Sequence, residues 1–327
     1  MKPSIPRKIK VGWILLGNQN TGSSRIHAIN IHKSLNKDKF QSTIIKSPSP
    51  AETSLKINLK EKLCILLARF DILIFQKVYD KDAQILAKIA SILRTKTVFL
   101  QSDLVETNMT TSVDHVVVCS NYLKETLKLR HPGSSKKYTV IDDAIEPSSN
   151  HTKQHLLKTG VNLVWVGHSD NWNTLDVVKE ALKKLNDKTI NLRTISNHTD
   201  ATYSWDINTV YELILQNDVA VIPSTNNDWS KSKSTNRLTL FMSAGLPVIA
   251  WPIPSYNELI KKSKAGLLAE TTEEWCTAIL KLKDHKIRKQ ISEKGRAYAE
   301  NNYSNKVITS QWEEFFEKTV SHNTHKN

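Results

Sequence analysis

The sequence predicts an α/β protein made of two Rossmann-like, doubly wound domains. Short, continuous apolar strands alternate with amphipathic helices, which is the pattern of a parallel sheet covered on both faces. The alternation stops in a polar stretch, residues 146–160, and starts again at residue 161. A chain of 327 residues is long enough for two domains of ordinary size. We therefore expect an N-terminal domain over residues 1–150 and a C-terminal domain over residues 151–303.

The elements of the first domain follow from this alternation. Its expected strands are short apolar runs at residues 10–17, 70–77, 96–102, 114–120 and 138–142. Its expected helices are amphipathic segments at residues 23–37, 82–94 and 121–130. In the first helix Ile26, Ile29 and Leu35 share the apolar side. This order of strand and helix predicts βα units and a parallel sheet.

The second domain repeats the same order. Its expected strands cover residues 161–167, 190–196, 218–224 and 246–251. Its expected helices cover residues 173–186, 207–217, 236–244 and 256–262. In such sheets ligands bind beyond the carboxyl ends of the strands. The loops that follow the strands are therefore where a site is expected.

The charge of the chain points to an anionic partner. The net charge is +14, and residues 1–70 hold 13 Lys and Arg against 3 Asp and Glu, which is 13 − 3 = +10. A membrane surface, an acidic substrate or nucleic acid would each be attracted by such a bias. The alternative is an ordinary solvated surface, because the sequence does not show that these charges share one face.

Cysteine usage and the apolar runs indicate a cytoplasmic protein. Cys64, Cys119 and Cys276 form no CxxC pair, so neither a disulfide framework nor a zinc knuckle is predicted. The N-terminus places Lys2, Arg7, Lys8 and Lys10 before an apolar run, as signal peptides do, but no small-residue cleavage pattern follows. A buried first strand is the better interpretation. No run is long enough for a transmembrane helix.

The loop after the first strand, residues 17–25, has features of an anion-binding turn. Gly17 and Gly22 permit close backbone approach, and Ser23 or Ser24 is expected to cap the next helix. The loop lacks the GxGxxG spacing of dinucleotide-binding folds. Two other loops carry candidate groups. The loop after the strand at 161–167 begins at Gly167 and contains His168, and residues 101–107 contribute Asp103 and Glu106.

Residues 223–237 are the most informative loop. A helix that starts near Asn236 exposes free backbone N–H groups and a partial positive charge. Lys231, Lys233 and Arg237 add full positive charges there, which is unfavourable unless an anion compensates. A diphosphate offers several oxygens to backbone, hydroxyl and cation at once. The alternative interpretation is an ordinary Ser/Thr cap beside solvated lysines.

These segments resemble a known family. Residues 164–171, 218–224, 231–260, 265–270 and 294–316 are similar, in this order, to the C-terminal domain of retaining GT-B glycosyltransferases of the group 1, or family 4, type. Residues 21–35, 70–77, 114–127 and 138–146 are similar to segments of the first domain of that family. The resemblance covers nearly the whole chain, and its most specific part is residues 236–250.

The resemblance implies two domains that face a cleft, with a last helix at about 304–318 packing back on the first. It implies transfer of a sugar from a nucleotide diphosphate donor to a glycan or lipid-linked acceptor, with retention and without metal or other cofactor. The donor would bind the second domain and the acceptor the first. Donor-binding residues would be Gly167, His168, Lys231, Ser232, Lys233, Asn236 and Arg237. Acceptor-binding residues would be Gly22, Ser23, Ser24, Arg25 and Lys77, with Asp103 as the catalytic candidate.

One departure from the family pattern puts activity in doubt. The family commonly carries two glutamates around this loop and helix, and Ser232 and Leu240 stand at those positions. A leucine cannot accept hydrogen bonds from ribose hydroxyls. The usual basic pair after the first strand of the second domain is also absent, and only His168 offers charge there.

Several candidates have an equally ordinary interpretation. Asp103 begins a loop, where Asp is often a turn residue, and Lys77 is as well explained by solvation. His27 and His32 lie on a helix, where a histidine is more often solvated or structural than catalytic. The large aromatics Trp165, Trp172 and Trp205 could stack on a base but are normally core residues.

Three functions therefore remain open. The first is an active retaining glycosyltransferase, at the inner face of the membrane if the basic N-terminal segment contacts anionic lipid. The second is a binding protein or partner subunit with a decayed donor site, which Ser232 and Leu240 favour. The third, nucleic-acid binding, is disfavoured because no recognition module and no interleaving of aromatic and basic residues is present.

Overall fold

The computed structural model describes residues 7–132, 137–146 and 151–321. Lys2 and residues 147–150 of the expected linker lie outside the described residues. The chain divides into two compact units. Unit 1 comprises the chain up to Ala144 together with the segment from Asn305, and unit 2 is Ile145–Ser304.

Unit 1 contains a six-stranded sheet whose paired strands are all parallel. Its spatial order is β2-β1-β3-β4-β5-β6. The strands are β1 (Ile9–Leu15), β2 (Phe40–Lys46), β3 (Ile72–Gln76), β4 (Lys96–Gln101), β5 (His115–Val118) and β6 (Lys137–Val140). Every residue of the central strand β3 is buried, which explains its uninterrupted apolar run.

The helices of unit 1 connect these strands. The β1–β2 connection combines α1 (Gly22–Ser24), a π-helical turn (Arg25–Ile29) and α2 (Asn30–Ser34). The others are α3 (Leu59–Leu67), α4 (Lys81–Ile92), α5 (Met109–Ser112) and α6 (Asn121–Arg130). Asn58 and Glu61 form a capping box on α3, and Asp80 caps α4, so both helices start where the sequence supplies a cap.

Unit 2 has a second parallel sheet, with the order β12-β11-β10-β7-β8-β9. Its strands are β7 (Val161–Val166), β8 (Ile190–Ser196), β9 (Tyr203–Ser204), β10 (Val219–Ile222), β11 (Val248–Ala250) and β12 (Leu267–Leu268). Its α-helices are α7 (Asp176–Leu185), α8 (Val210–Leu215), α9 (Asp228–Lys231), α10 (Asn236–Ser243), α11 (Pro254–Ser263), α12 (Thr272–Lys281) and α13 (His285–Tyr303). A 3₁₀ helix (Ser169–Leu175) precedes α7.

The last helix, α14 (Asn305–Ser321), belongs to unit 1. Its aromatic side chains pack on β1: the rings of Trp312 and Phe316 lie 5.9 and 6.1 Å from that of Trp13. Phe316 also packs edge-on against Phe40 of β2. Such aromatic contacts make α14 part of the core of unit 1. Among the helices described, none has the length and hydropathy needed to cross a membrane.

A buried carboxylate holds β7 next to β10. Asp218, which precedes β10, accepts a hydrogen bond from the backbone N–H of Asn162 at 2.8 Å. It also pairs with Lys153 and Lys158, at 3.2 and 2.6 Å. Burial alone would raise the pKa of Asp218, but the Asn162 hydrogen bond and the lysines hold that pKa below its usual value. The loops that follow β7 and β10 therefore start from neighbouring strands.

The structure confirms the predicted fold class, with two doubly wound α/β units. The sequence analysis missed β2 and α3, and it also assigned no element to β9, β12, α5, α9, α12 or α13. β2 is an edge strand whose residues are mostly half-buried or exposed, so it lacks a continuous apolar run. α3 was hidden because Leu59, Leu63 and Leu67 on its outer side are exposed, which removes the usual amphipathic pattern.

Candidate functional site

Gly167 and His168 follow the carboxyl end of β7. The Gly167 N–H donates to the carbonyl of Ile195, and His168 Nε2 lies 3.2 Å from Asn197 Nδ2. Asn197 Oδ1 also accepts from the N–H of Ser169 at 2.8 Å. Asn197 thus joins the loops after β7 and β8 and orients His168. The imidazole of His168 stays 61% exposed, so it is available to a ligand.

Gly167 is required by its neighbour Trp165. A Cβ at position 167 would lie 2.3 Å from Cζ2 of Trp165, a fully buried side chain. We predict that Gly167→Ala lowers the free energy of unfolding by about 1–3 kcal/mol, because the indole has no room to move. Urea denaturation measures this difference.

Gly22→Ala is the matched control for that measurement. The nearest atom to a Cβ at position 22 is 3.9 Å away, and the residue starts a helix. We expect this variant to be as stable as the parent or more stable by about 0.4–1 kcal/mol. Equal stability of the two variants would contradict the packing argument.

The turn before α10 is held by its own side chains. Ser232 is fully buried, and its hydroxyl donates to the carbonyl of Trp229 at 2.7 Å. The carbonyl of Lys233 accepts from Ser255 Oγ at the start of α11. Lys233 Nζ lies 4.1 Å from the centre of the Trp229 ring, a cation–π contact. These contacts fix the backbone of the turn. The side chain of Ser232 stabilises the turn and does not point to a ligand.

The N-terminus of α10 is only weakly capped, because the backbone N–H of Asn236 donates to Ser234 Oγ at 3.4 Å and the N-cap residue makes no side-chain bond to the helix. Thr235 occupies the cap position, yet its Oγ1 is buried and has no hydrogen-bond partner within the described ranges. The same holds for Nδ2 of Asn236. Lys231 and Arg237 are half-buried, and no described carboxylate pairs with either. Unused side-chain donors beside Arg237 in the first turn of α10, with Lys231 at the end of the preceding helix α9, suit an anion.

Leu240 lies one turn further along α10. It is half-buried and packs against the hydrophobic core of unit 2, which includes Phe241 and Leu238. The side chain thus lies at the edge of that core and is not fully enclosed by it. Leu240 offers no hydrogen-bonding atom, so any ribose contact must come from other groups.

The loop after β1 is organised by Ser24 and Gln76. Ser24 Oγ accepts from the N–H of Gly17 at 3.0 Å and donates to Gln76 Oε1 at 2.9 Å. Gln76 Oε1 also accepts from the N–H of Leu16. The predicted Ser cap is wrong: Thr21 takes the cap position without a side-chain hydrogen bond, and Ser24 is fully buried inside the loop. Its hydroxyl is used by the loop and not by a ligand.

The other predicted acceptor residues of this loop are more accessible. Gly22, Ser23 and Arg25 are half-buried. The guanidinium of Arg25 donates to the carbonyl of Gln19 at 2.9 Å, which holds it over the loop. The loop therefore presents a backbone turn and one cation at the carboxyl end of β1.

Lys77 and Asp103, at the carboxyl ends of β3 and β4, form an ion pair. Both side chains are largely buried, with 17% and 14% of their surface exposed. Gln101 Nε2 donates to the carbonyls of Asp103 and Val105, which shapes the Asp103 loop. The sequence analysis chose both charged residues but not their pairing. In this arrangement the lysine orients the carboxylate.

The tryptophans and His27 have mainly structural positions. Trp165 is fully buried, and Trp172 stacks on His198 with ring centres 4.0 Å apart. Trp205 is 39% exposed. His27 Nδ1 lies 2.6 Å from Asp143, and both side chains are nearly buried. This pair connects the π-helical turn to the segment that follows β6.

Three residues that shape the site were missed from sequence: Gln76, Gln101 and Trp229. Gln76 and Gln101 each end a buried apolar strand, so a polar residue at the last strand position is a usable signal. Trp229 gave no such sequence signal, because an aromatic residue in a loop has many ordinary roles. Within the described ranges, no three His, Cys, Asp or Glu side chains are grouped closely enough to hold a metal ion.

Known structures share this architecture. Anabaena HepE in complex with UDP and glucose matches with a TM-score of 0.70 and 12% identity, over 95% of this chain and 100% of that chain. A glycosyltransferase from Rickettsia africae ESF-5 matches with a TM-score of 0.68 and 14% identity, over 96% and 99%. The chain has the GT-B fold. An O-GlcNAc transferase from Thermobaculum terrenum matches with a TM-score of 0.65 and 12% identity, over 98% of this chain and 69% of the other.

In addition to the structural matches, part of the sequence matches one protein-family model. Residues 150–285 match the model described as "Glycosyl transferases group 1". This range includes the β7 loop, the turn before α10 and α10 itself. No curated protein matches the sequence. This part of the chain is therefore similar in sequence to group 1 glycosyl transferases, and the whole chain has the GT-B fold.

Proposed function

We propose that this protein transfers a sugar from a nucleotide diphosphate sugar to a glycan or lipid-linked acceptor, with retention of anomeric configuration. The observation that carries the proposal is the N-terminus of α10, where Arg237 lies in the first turn and Lys231 ends the preceding helix α9, and neither cation pairs with a carboxylate among the described residues. The GT-B fold and the group 1 family model support the same reaction class. HepE was obtained with UDP and glucose, and the pneumococcal GtfA with UDP and GlcNAc. UDP sugars are therefore the first donors to test.

In the proposed reaction the bond from the anomeric carbon to the diphosphate breaks, and negative charge grows on the leaving phosphate. Arg237 and Lys231 would stabilise that charge together with the free N–H groups of α10. Lys233 would add a third cation whose position Trp229 restricts. Asn236 and the backbone at Gly167 would bind the remaining polar groups of the donor, with His168 at its rim.

The acceptor would bind to unit 1. Gly22, Ser23 and Arg25 are the half-buried candidates of the β1 loop, and the Lys77–Asp103 ion pair supplies a second polar group. We propose that Asp103 accepts a hydrogen bond from the acceptor hydroxyl while its ion pair with Lys77 holds the carboxylate in place. Retention and the kind of acceptor stay predictions from the family resemblance.

A binding protein without catalytic activity is the second candidate. The observation that favours it is the pair of family glutamate positions: Ser232 is buried with its hydroxyl used by the turn, and Leu240 is apolar. Such a protein would keep the anion site at α10 and bind a nucleotide without turnover.

Two measurements separate the candidates. A screen of nucleotide sugars for thermal stabilisation identifies the donor, because a ligand of the native state alone raises the midpoint of unfolding. The best donor is then incubated with glycan and lipid-linked acceptors, and NMR of the product reports the anomeric configuration. Stabilisation with turnover supports the enzyme, stabilisation without turnover supports the binding protein, and no stabilisation by any nucleotide contradicts both.

Asp103→Asn tests the acceptor assignment. The variant keeps the shape of the side chain but removes the charge that pairs with Lys77. We expect kcat/KM for the acceptor to fall up to about tenfold, the cost of one hydrogen bond, with little change in donor affinity. Glu106→Gln is the control, since Glu106 lies in the same loop, pairs with Arg130 and is 74% exposed. An unchanged acceptor kcat/KM in Asp103→Asn would remove this residue from the acceptor site.

A further inference from the structure

The outer side of α3 is apolar. Leu59, Leu63 and Leu67, spaced four residues apart, are 82%, 53% and 69% exposed. Only Ile65 of this helix is buried. Soluble surfaces rarely carry such a row of aliphatic side chains without a partner.

Helix α4 packs on the same hydrophobic core as α3 and is also apolar on its outer side. Its outer side exposes Ile85, Ile89 and Ile92, and Leu93 follows directly after the helix. The two helices are adjacent, because Lys62 of α3 forms an ion pair with Asp82 of α4 at 3.0 Å. We call this surface the α3–α4 face. It consists of Leu59, Leu63, Leu67, Ile85, Ile89, Ile92 and Leu93.

Basic residues surround the α3–α4 face. Its exposed cations are Lys60, Arg69, Lys81, Lys88 and Arg94. The acidic residues of the same two helices and their caps are already engaged. Glu61 and Asp80 hydrogen-bond to the starts of α3 and α4, and Asp82 pairs with Lys62. The face therefore offers aliphatic side chains together with net positive charge.

We propose that the α3–α4 face docks unit 1 onto an anionic lipid bilayer. Aliphatic residues that enter the interface while lysines meet anionic headgroups are the signature of peripheral membrane helices. A second copy of this chain fits poorly, because symmetric pairing would bring together two faces that carry the same net positive charge. A protein partner fits less well too, because the apolar members of the face are all Leu or Ile, whereas protein interfaces favour aromatic anchors. The proposal does not depend on the transfer reaction.

Vesicle sedimentation of the full chain tests the proposal. We expect the parent to bind vesicles of equimolar phosphatidylglycerol and phosphatidylcholine, to bind pure phosphatidylcholine weakly, and to lose binding as salt increases. Two double variants, Leu63→Gln/Leu67→Gln and Lys60→Glu/Lys88→Glu, should each lower the partition coefficient roughly tenfold or more. The matched controls are Leu156→Gln/Leu157→Gln and Lys183→Glu/Lys294→Glu, which change exposed residues of unit 2. The controls should bind like the parent.

Cys64 provides a readout that leaves the face intact. It is exposed on α3 between Leu63 and Leu67, whereas Cys119 and Cys276 are buried. An environment-sensitive fluorophore on Cys64 should shift to shorter wavelength with anionic vesicles and not with neutral ones. Equal binding of the parent and both face variants, or no fluorescence shift, would overturn the proposal. So would a parent dimer without lipid that the face variants convert to monomer while vesicle binding persists.

Discussion

Replacing Arg237 by alanine is expected to weaken the binding of UDP or of the donor sugar nucleotide tenfold to hundredfold. Arg237 lies in the first turn of α10, is half-buried, and has no described carboxylate partner. Loss of a charge-assisted hydrogen bond to phosphate costs roughly 1.5–3 kcal/mol. Lys233→Ala should act in the same direction, and it also removes the cation from the ring of Trp229.

Stability should change in the opposite direction to affinity. A cation at a helix N-terminus opposes the helix dipole, so its removal should leave the free energy of unfolding unchanged or raise it by about 0.3–1 kcal/mol. Calorimetry with UDP and urea denaturation of the same preparations measure both quantities. Lys183→Ala on α7 is the control, because it removes one exposed positive charge of unit 2 outside the loops of the candidate site. An Arg237→Ala protein that binds UDP like the parent would exclude this residue from the donor site.

The fold could be predicted because the central strands are fully buried and therefore consist almost entirely of apolar residues. β3 and β10 are buried at every residue, and their runs of Ile, Val, Leu and Ala are visible in the sequence. β2 could not be recognised, because an edge strand needs few apolar residues. α3 could not be recognised either, because its row of exposed leucines resembles a continuous apolar segment. Both failures concern elements whose burial depends on their place in the fold.

The positions of the candidate site could be predicted, but the contacts could not. Gly167, Arg237 and Asp103 were found because each follows or precedes an element at the ligand side of a sheet. The roles of Ser24 and Ser232 depend on partners that the sequence does not indicate. Ser24 bonds to Gln76, 52 residues away, and Ser232 turns back to the carbonyl of Trp229. The sequence alone does not distinguish a serine whose hydroxyl contacts a ligand from one whose hydroxyl stabilises a loop.

The contact made by Ser232 changes the interpretation of the missing glutamates. At position 232 the turn is completed by a buried hydroxyl, so a longer acidic side chain would have to displace it. Position 240 is different, because Leu240 reaches the edge of the unit 2 core. A carboxylate could be tested there without rebuilding the turn. Leu240 is therefore the position that best separates an active enzyme from a decayed one.

Leu240→Glu is expected to lower the free energy of unfolding by about 1–3 kcal/mol without improving donor binding. The carboxylate would replace apolar contacts with the core of unit 2, and partial exposure limits the cost. Leu240→Gln is the control, because glutamine has the size of glutamate and is polar but uncharged. Urea denaturation of both variants therefore isolates the effect of the negative charge on the free energy of unfolding. Calorimetry with UDP sugars then reports whether the ribose of the donor hydrogen-bonds to the new carboxylate. If the site has decayed from the family pattern, the glutamate should be tolerated better than the glutamine and should bind donor more tightly than the parent. A stable Leu240→Glu protein with increased affinity would thus identify the parent as a decayed binding protein, because an enzyme that already holds the ribose by other groups gains nothing from a second acceptor at this position.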